Sequence, residues 1–216
     1  GQGAGTAESP FASIQTGINA AGDGDTVHVA AGTYFENIII NENMPAYNAK
    51  DIILLGEDRE TTIIDGDSSG TVVVFNPNYN SNSIMSGFTI QNGYNTDQNQ
   101  VGGIYIHDTD PTLKDLIIRN NTGSYSGGGG INFYSSNSTI SNVIISGNTG
   151  NGIYSGTYSY PVIEDVVITG NTAYAGAGIT CQFHSVPTFF NVLIFASTID
   201  ARDNASIPAI FANNPG

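Results

Sequence analysis

The stretch Leu113-Lys-Asp-Leu-Ile-Ile118 is one of five copies of a single pattern in this chain. The others are Met85-Ser-Gly-Phe-Thr-Ile90, Ile140-Ser-Asn-Val-Ile-Ile145, Ile163-Glu-Asp-Val-Val-Ile168 and Phe189-Phe-Asn-Val-Leu-Ile194, and successive starts lie 28, 27, 23 and 26 residues apart. An Asn-Thr pair follows each of the middle three, at Asn121-Thr122, Asn148-Thr149 and Asn171-Thr172. A Gly-Ile step then recurs in phase, at Gly103-Ile104, Gly130-Ile131, Gly152-Ile153 and Gly178-Ile179. A repeat of this length that holds short strands and no 3.6-residue period excludes a helical solenoid. It predicts a β-solenoid, in which each strand lies about 4.8 Å above its equivalent in the previous turn and no repeat is stable alone.

Working outward from that pattern, equivalent side chains must stack in columns. Positions 113, 116 and 118 and their equivalents are apolar in every copy, so they face inward, with a bend near residue 114 or 115. In the second strand type Ile104 and Ile106, Ile131 and Phe133, and Ile179, Cys181 and Phe183 alternate with polar or tyrosine positions and are expected to point inward. Gly87, Asp115, Asn142, Asp165 and Asn191 form a turn column, since Asn, Asp and Gly accept left-handed backbone angles. Asp115 and Asp165 stand two turns apart, about 10 Å, too far to share one calcium ion. Thr122, Thr149 and Thr172 read as a second turn ladder.

The whole sequence is 216 residues with a formal charge of −14, from five basic and nineteen acidic side chains. That is one domain, and its charge excludes a surface that tracks nucleic-acid phosphates or anionic lipid by Coulomb attraction. No apolar run approaches the roughly 20 residues needed to span a bilayer. The high content of Gly (27) and Asn (24) belongs to the turns. Charged residues make up only 11% of the chain, as expected where stacking would set like charges one strand spacing apart. The single Cys181 rules out an internal disulfide and is expected in the core. Gly1 to Ser9 has neither a basic region nor an apolar core, as expected if a leader has already been removed.

Before the repeats, Ser9 is a candidate N-cap with Pro10 behind it, Phe11, Ile14, Ile18 and Ala21 share one face, and Gly22 suits the C-terminal stop. This predicts a short amphipathic helix that covers the open end of the first coil. Residues 1–22 are thus assigned to an N-terminal segment and capping helix, and 23–216 to the solenoid. After Ile194 the chain runs through Ile207-Pro-Ala-Ile-Phe211 without a helix or charged cover. The expectation is that the solenoid continues or is covered there by another domain, a second subunit or another copy of itself.

The stretch Phe11 to Asn37, together with Ile63-Ile-Asp-Gly66 and the glycine-rich Ser126 to Ile131, resembles the right-handed parallel β-helix superfamily. This is the pectate-lyase-like group, and the likeness is strongest to its secreted bacterial repeat proteins. The resemblance implies a right-handed, all-β parallel β-helix, here of about seven coils with a short N-terminal capping helix, and a secreted or cell-surface location. It also raises polysaccharide lyase and glycosidase chemistry.

Three surfaces are candidates for function. Alternation turns Tyr105, Asn132, Tyr154 and Thr180 outward in one column and His107, Tyr134 and Gln182 in the next. Rings and amides on a flat strip suit a glycan, with Tyr158, Tyr160 and Tyr125 extending it. Alternatively, tyrosine is there for its β-propensity alone. The second surface is an aliphatic stripe, Thr89, Ile117, Ile144, Val167 and Leu193, expected to lie beneath a long loop or against a lateral partner. The third is catalytic. A uronate lyase needs a base and a cation or calcium ion to neutralise the substrate carboxylate. Only Lys114 and Arg119 among the basic residues lie on repeating strands, and they would serve a calcium-assisted lyase. Their stacked neighbours are Ser86, Ser141 and Glu164 for Lys114, and Gln91, Ser146 and Thr169 for Arg119, so no aligned acidic cluster supports either. The aspartate set, Gly-His-Gly step and Arg-x-Lys step of galacturonase-like members are missing. Asp97, Asp108 and Asp110 are the best weak calcium group, while Asp65 and Asp67 read as turn residues. The expected function is a scaffold or glycan-contacting adhesin without catalysis and without a required cofactor. A lyase and a self-assembling subunit joined through the C-terminal coil are the alternatives.

Overall fold

The computed structural model describes residues 3–41, 49–77, 82–97, 101–124, 127–173, 176–195, 197 and 199–201. Within them the chain winds into a parallel β-solenoid. One sheet stacks seven strands in the order Thr26–Val29, Ile53–Gly56, Ile84–Gln91, Thr112–Arg119, Thr139–Ser146, Val162–Thr169 and Thr188–Phe190. The other stacks Ile38–Ile40, Val73–Phe75, Ile104–His107, Ile131–Tyr134, Ile153–Gly156, Ile179–Cys181 and Ile199–Ala201. The seven strands along each of these paths enclose about six turns, and three further short strands, Gly32–Phe35, Thr62–Asp65 and Leu193–Phe195, pair beside the first path. Every strand pairing is parallel and joins equivalent positions of adjacent repeats, as Leu116↔Val143↔Val166 and Ile104↔Ile131↔Ile153 show.

The inward columns fall where the periodicity puts them. Leu113, Leu116, Ile118, Ile140, Ile145, Ile163 and Ile168 are completely buried, and Ile104, Ile106, Ile131, Phe133, Ile179 and Cys181 close the core from the other sheet. Phe183 departs from the alternation. It lies beyond the end of its strand at φ 52° and is 48% exposed, because the chain turns before it reaches the next inward position.

The long strands bend at the predicted column. Asp115, Asn142, Asp165 and Asn191 all adopt φ between 48° and 53°, and Gly87 adopts 84°. Their side chains alternate acceptor and donor, with Asn142 Nδ2 donating to Asp115 Oδ1 at 2.6 Å and Asn191 Nδ2 to Asp165 Oδ1 at 2.5 Å. Gly87 breaks the Asp/Asn series because the Gly56 backbone passes against it. A Cβ on Gly87 would lie 2.5 Å from the Gly56 carbonyl oxygen, and one on Gly56 would lie 2.2 Å from that of Gly87.

The second ladder belongs to the asparagines. Asn121, Asn148 and Asn171 are buried and bonded to one another, while Thr122, Thr149 and Thr172 beside them make the backbone bridges. In each, Nδ2 also donates to a carbonyl one turn below, that of Ile90, Ile118 and Ile145 in order.

The helix is present but begins later than its sequence signals suggest, spanning Ile14–Ala20 with Ser13 as N-cap. Ser9 instead closes a small turn with Thr6. The reason is tertiary. Glu36, between the Gly32–Phe35 and Ile38–Ile40 strands of the first coil, accepts the Ile14 and Gln15 N–H groups at 2.9 and 3.0 Å and fixes the first turn. At the other end Lys50 Nζ donates to the carbonyls of Ile18 and Ala21, and Gly22 bonds Asp25 instead of ending the helix in a left-handed turn. Ile14 and Ile18 seal the core below.

Candidate functional site

The site grows from the corner that leads from each Gly-Ile strand to the next long strand. From His107 to Thr112, and from Tyr134 to Thr139, the corner takes the same number of residues. From Gly156 to Val162, and again in the next turn to Thr188, it is one residue longer. All four corners enter through a left-handed residue: Asp108 (φ 49°), Ser135 (50°), Thr157 (46°) and Phe183 (52°). In the two longer corners the added residues, Tyr158 (55°) and His184 (65°), are left-handed as well. This puts a β-branched threonine and three aromatic residues in a region that disfavours side chains with a Cβ.

A buried column of hydroxyls underlies that backbone. Thr109, Ser136, Ser159 and Ser185 are 0–3% exposed. Ser159 Oγ donates to the Gly156 carbonyl and accepts from the Ser136 N–H, and Ser185 Oγ lies 2.6 Å from Ser155 Oγ and donates to the Ser159 carbonyl. Anchored this way, the corner turns its rings outward. Tyr158 stacks on His184 with centroids 5.0 Å apart and planes 10° from parallel. Tyr158, Tyr160, Phe183 and Tyr134 are 57%, 47%, 48% and 40% exposed. His107 lies edge-on to Tyr134 at 5.1 Å and stacks with Tyr105 at 5.8 Å. His107 Nε2 also sits 3.0 Å from an Asp108 carboxylate oxygen. Burial, then the neighbouring Tyr134 and Asp108, pushes the Tyr105 hydroxyl above its ordinary pKa.

Of the predicted strip, Tyr105, His107 and Tyr134 therefore meet in one aromatic group. Asn132, Tyr154 and Thr180 have the expected register but do not form an open face, being 4%, 7% and 4% exposed. The glycine-rich segments that precede these strands fold back over them. Asn132 Nδ2 donates to the Gly127 carbonyl, while Asn151 Nδ2 reaches both the Gly176 carbonyl and Thr180 Oγ1. The Tyr154 hydroxyl donates to Gln182 Oε1 at 3.0 Å. Tyr125 lies outside the described residues. The aliphatic stripe is covered at one end, where Thr89 Oγ1 donates to the Arg59 carbonyl and Ile117 is 6% exposed.

The lyase candidates do not converge. Lys114 and Arg119 occupy opposite ends of one strand, on either side of the bend at Asp115. Arg119 Nε donates to Gln91 Oε1, and Gln91 in turn donates to Asp65. Asp65 also accepts from Asn92 Nδ2 and the Asp67 N–H, so both of its oxygens serve a turn. The three calcium candidates go separate ways. Asp108 faces His107, Asp110 accepts the Asn137 N–H at 2.6 Å, and Asp97 is exposed on its own loop. No group of three His, Cys, Asp or Glu side chains is placed to hold a metal ion among the described residues. No described helix is long and apolar enough to cross a membrane.

The longer corner was visible in the sequence. The Gly-Ile strands starting at Ile131 and Ile153 are 22 residues apart, whereas the strands that follow, at Ile140 and Ile163, are 23 apart. Which way the added residue points was not visible.

These features define a right-handed β-helix, and the chain belongs to that family. A model described as the right handed beta helix region matches residues 61–214. Among curated proteins none matches in sequence. Solved structures of similar fold include a pectin methylesterase from carrot, at TM-score 0.56 and 15% identity over 89% of this chain and 70% of that one. A pectin methylesterase from Yersinia enterocolitica superposes at 0.54 and 16% identity over 89% and 66%. One solved in complex with a hexasaccharide superposes at 0.55 and 15% over 90% and 63%. The chain thus spans 63 to 70% of these enzymes' length.

Proposed function

We propose that this protein is a secreted or cell-surface β-helix module that contacts polysaccharide through its aromatic corner and does not itself catalyse a reaction. One observation carries the reading: solvent-exposed rings occur at the same corner in successive turns, with Tyr134, Tyr158, Phe183 and Tyr160 each at least 40% exposed. Isolated exposed aromatics are ordinary, but a grouped set on a rigid stack offers ring faces for the apolar faces of sugars. The fold supports the same direction, since the structural neighbours named above are pectin methylesterases and one was solved with a hexasaccharide. The non-catalytic half of the reading is supported by the separation of Lys114 from Arg119 and by the full use of the Asp65 carboxylate in its turn.

The test is affinity electrophoresis of the intact chain through gels that contain a panel of soluble polysaccharides, alongside assays for unsaturated uronate absorbance and for methanol release from methylated pectin. Retardation by at least one polymer with neither product is the expected result. Product formation lost on Arg119→Ala would replace it with the lyase reading.

A further inference from the structure

We infer that the aromatic corner is a track for an uncharged polysaccharide, laid along the solenoid axis with about one sugar ring per turn, and that polyuronates are poor ligands for it. This rests on the glycan-contacting reading above and specifies its ligand. The first ground is spacing. His107, Tyr134, Tyr158 and His184 come from the same corner in four successive turns: His107 and Tyr134 are register partners, and Tyr158 and His184 stand two positions beyond Gly156 and Gln182, which continue that column. The rise between turns is the strand spacing of about 4.8 Å, close to the length of one pyranose unit in an extended chain. Rings in such a series meet consecutive sugars.

The second ground is strain. Asp108 and Ser135 show that the corner closes with a single left-handed residue, yet the next two turns add a second, at Tyr158 and His184. The added rings stack on each other but are not buried, since Tyr158 is 57% exposed and Phe183 beside His184 is 48% exposed. Ser159 and Ser185 are buried and bonded beneath them, so the unfavourable backbone is held in place by its surroundings. Strain that presents a surface, instead of burying one, marks the surface as the functional product.

The third ground is charge. The ionisable groups along the corner are His107, Asp108, Asp110 and His184, and Asp108 already faces His107. Lys114 is exposed on the adjoining strand and shares its column with Glu164, two turns away. The whole chain carries −14. A polyuronate, with a carboxylate on every sugar, meets like charges at Asp108 and Asp110 along the corner. A neutral glycan has hydroxyl donors for the same carboxylates.

The experiment compares the intact chain on neutral polymers (xyloglucan, mixed-linkage glucan, galactomannan, arabinan) with polygalacturonate and alginate. It is run at pH 8 with a chelator, so that no calcium bridges carboxylates. The expected result is retardation by at least one neutral polymer, with polyuronate binding at least tenfold weaker. Tyr158→Ala and Tyr134→Ala should each weaken neutral-polymer binding about tenfold, while Tyr158→Phe keeps it. Thermal melts confirm that these exposed-site variants fold. Equal or tighter binding of polyuronate overturns this inference and leaves the glycan-contacting function standing. Neutral binding unchanged in both alanine variants overturns the track. Failure to bind any polymer overturns both readings.

Discussion

Asn171 offers its Oδ1 to two donors of Asn148 at once, the backbone N–H at 3.0 Å and the side-chain Nδ2 at 2.9 Å. Asn148 does the same for Asn121 at 2.9 and 3.1 Å, so one buried amide ties three turns together. Asn148→Ala leaves the Asn121 N–H and the Ile118 carbonyl without these partners in a site closed to water, while Asn171 Oδ1 keeps only the backbone N–H of position 148. Unfolding free energy should fall by about 2–4 kcal/mol, read from urea titration followed by far-UV circular dichroism. An unchanged midpoint would show that the ladder is redundant.

The helix N-terminus depends on Glu36 rather than on the residue its sequence signals first pointed to. Glu36→Ala should accelerate hydrogen exchange at Ile14 and Gln15 and reduce stability by about 1–2 kcal/mol, the usual worth of a charged cap. Ser9→Ala should leave both amides as they were. The opposite pattern would restore the earlier helix start.

Thr157 is the one β-branched residue in the left-handed corner column, at φ 46°. Thr157→Gly removes the clash of its Cβ while the Thr157 carbonyl, which accepts from Ser135, is retained. Stability is expected to rise by about 0.5–1 kcal/mol, which is roughly 1–2 kcal/mol of left-handed strain less the entropy cost of glycine. Calorimetry decides it, and a lower melting temperature would mean that the threonine side chain contributes packing worth more than the strain.

Tyr105 should resist ionisation at alkaline pH. Burial is the largest cause, followed by Tyr134 and Asp108, all raising its pKa from an ordinary value of 10.0. Above pH 10 the unfolded chain releases this proton before the folded one does, so the folded state binds more protons and stability falls as pH rises through that window. Ultraviolet difference titration should show late-ionising tyrosines, Tyr105 together with Tyr34, and the double change Tyr134→Phe and Asp108→Asn should bring only the Tyr105 step earlier. A wild-type curve with every tyrosine ionising together would contradict the assignment.

The relation between sequence and site is uneven for a reason visible in single residues. Asp115 and Asn142 announced the bend because residues of their type favour its left-handed backbone, and Leu116 and Val143 announced the core because stacking repeats the demand every turn. Glu36 gave no comparable sign. Its contact with Ile14 spans 22 positions and occurs once, so no periodicity records it. Asn132 and Tyr154 misled in the other direction, since their outward parity was right while the glycine-rich segments above them removed the solvent.

By itself the sequence determined that this chain is a stacked β-solenoid and which side chains fill it. A stacked repeat writes the same local constraint into every turn, and a linear reading recovers it. The tertiary structure alone decided which part of the outward face reaches solvent. That depends on where loops fold back and where two extra corner residues, Tyr158 and His184, are turned out over buried serines. Such contacts join residues distant in the chain and are made once or twice each, so they leave no pattern to be read in advance.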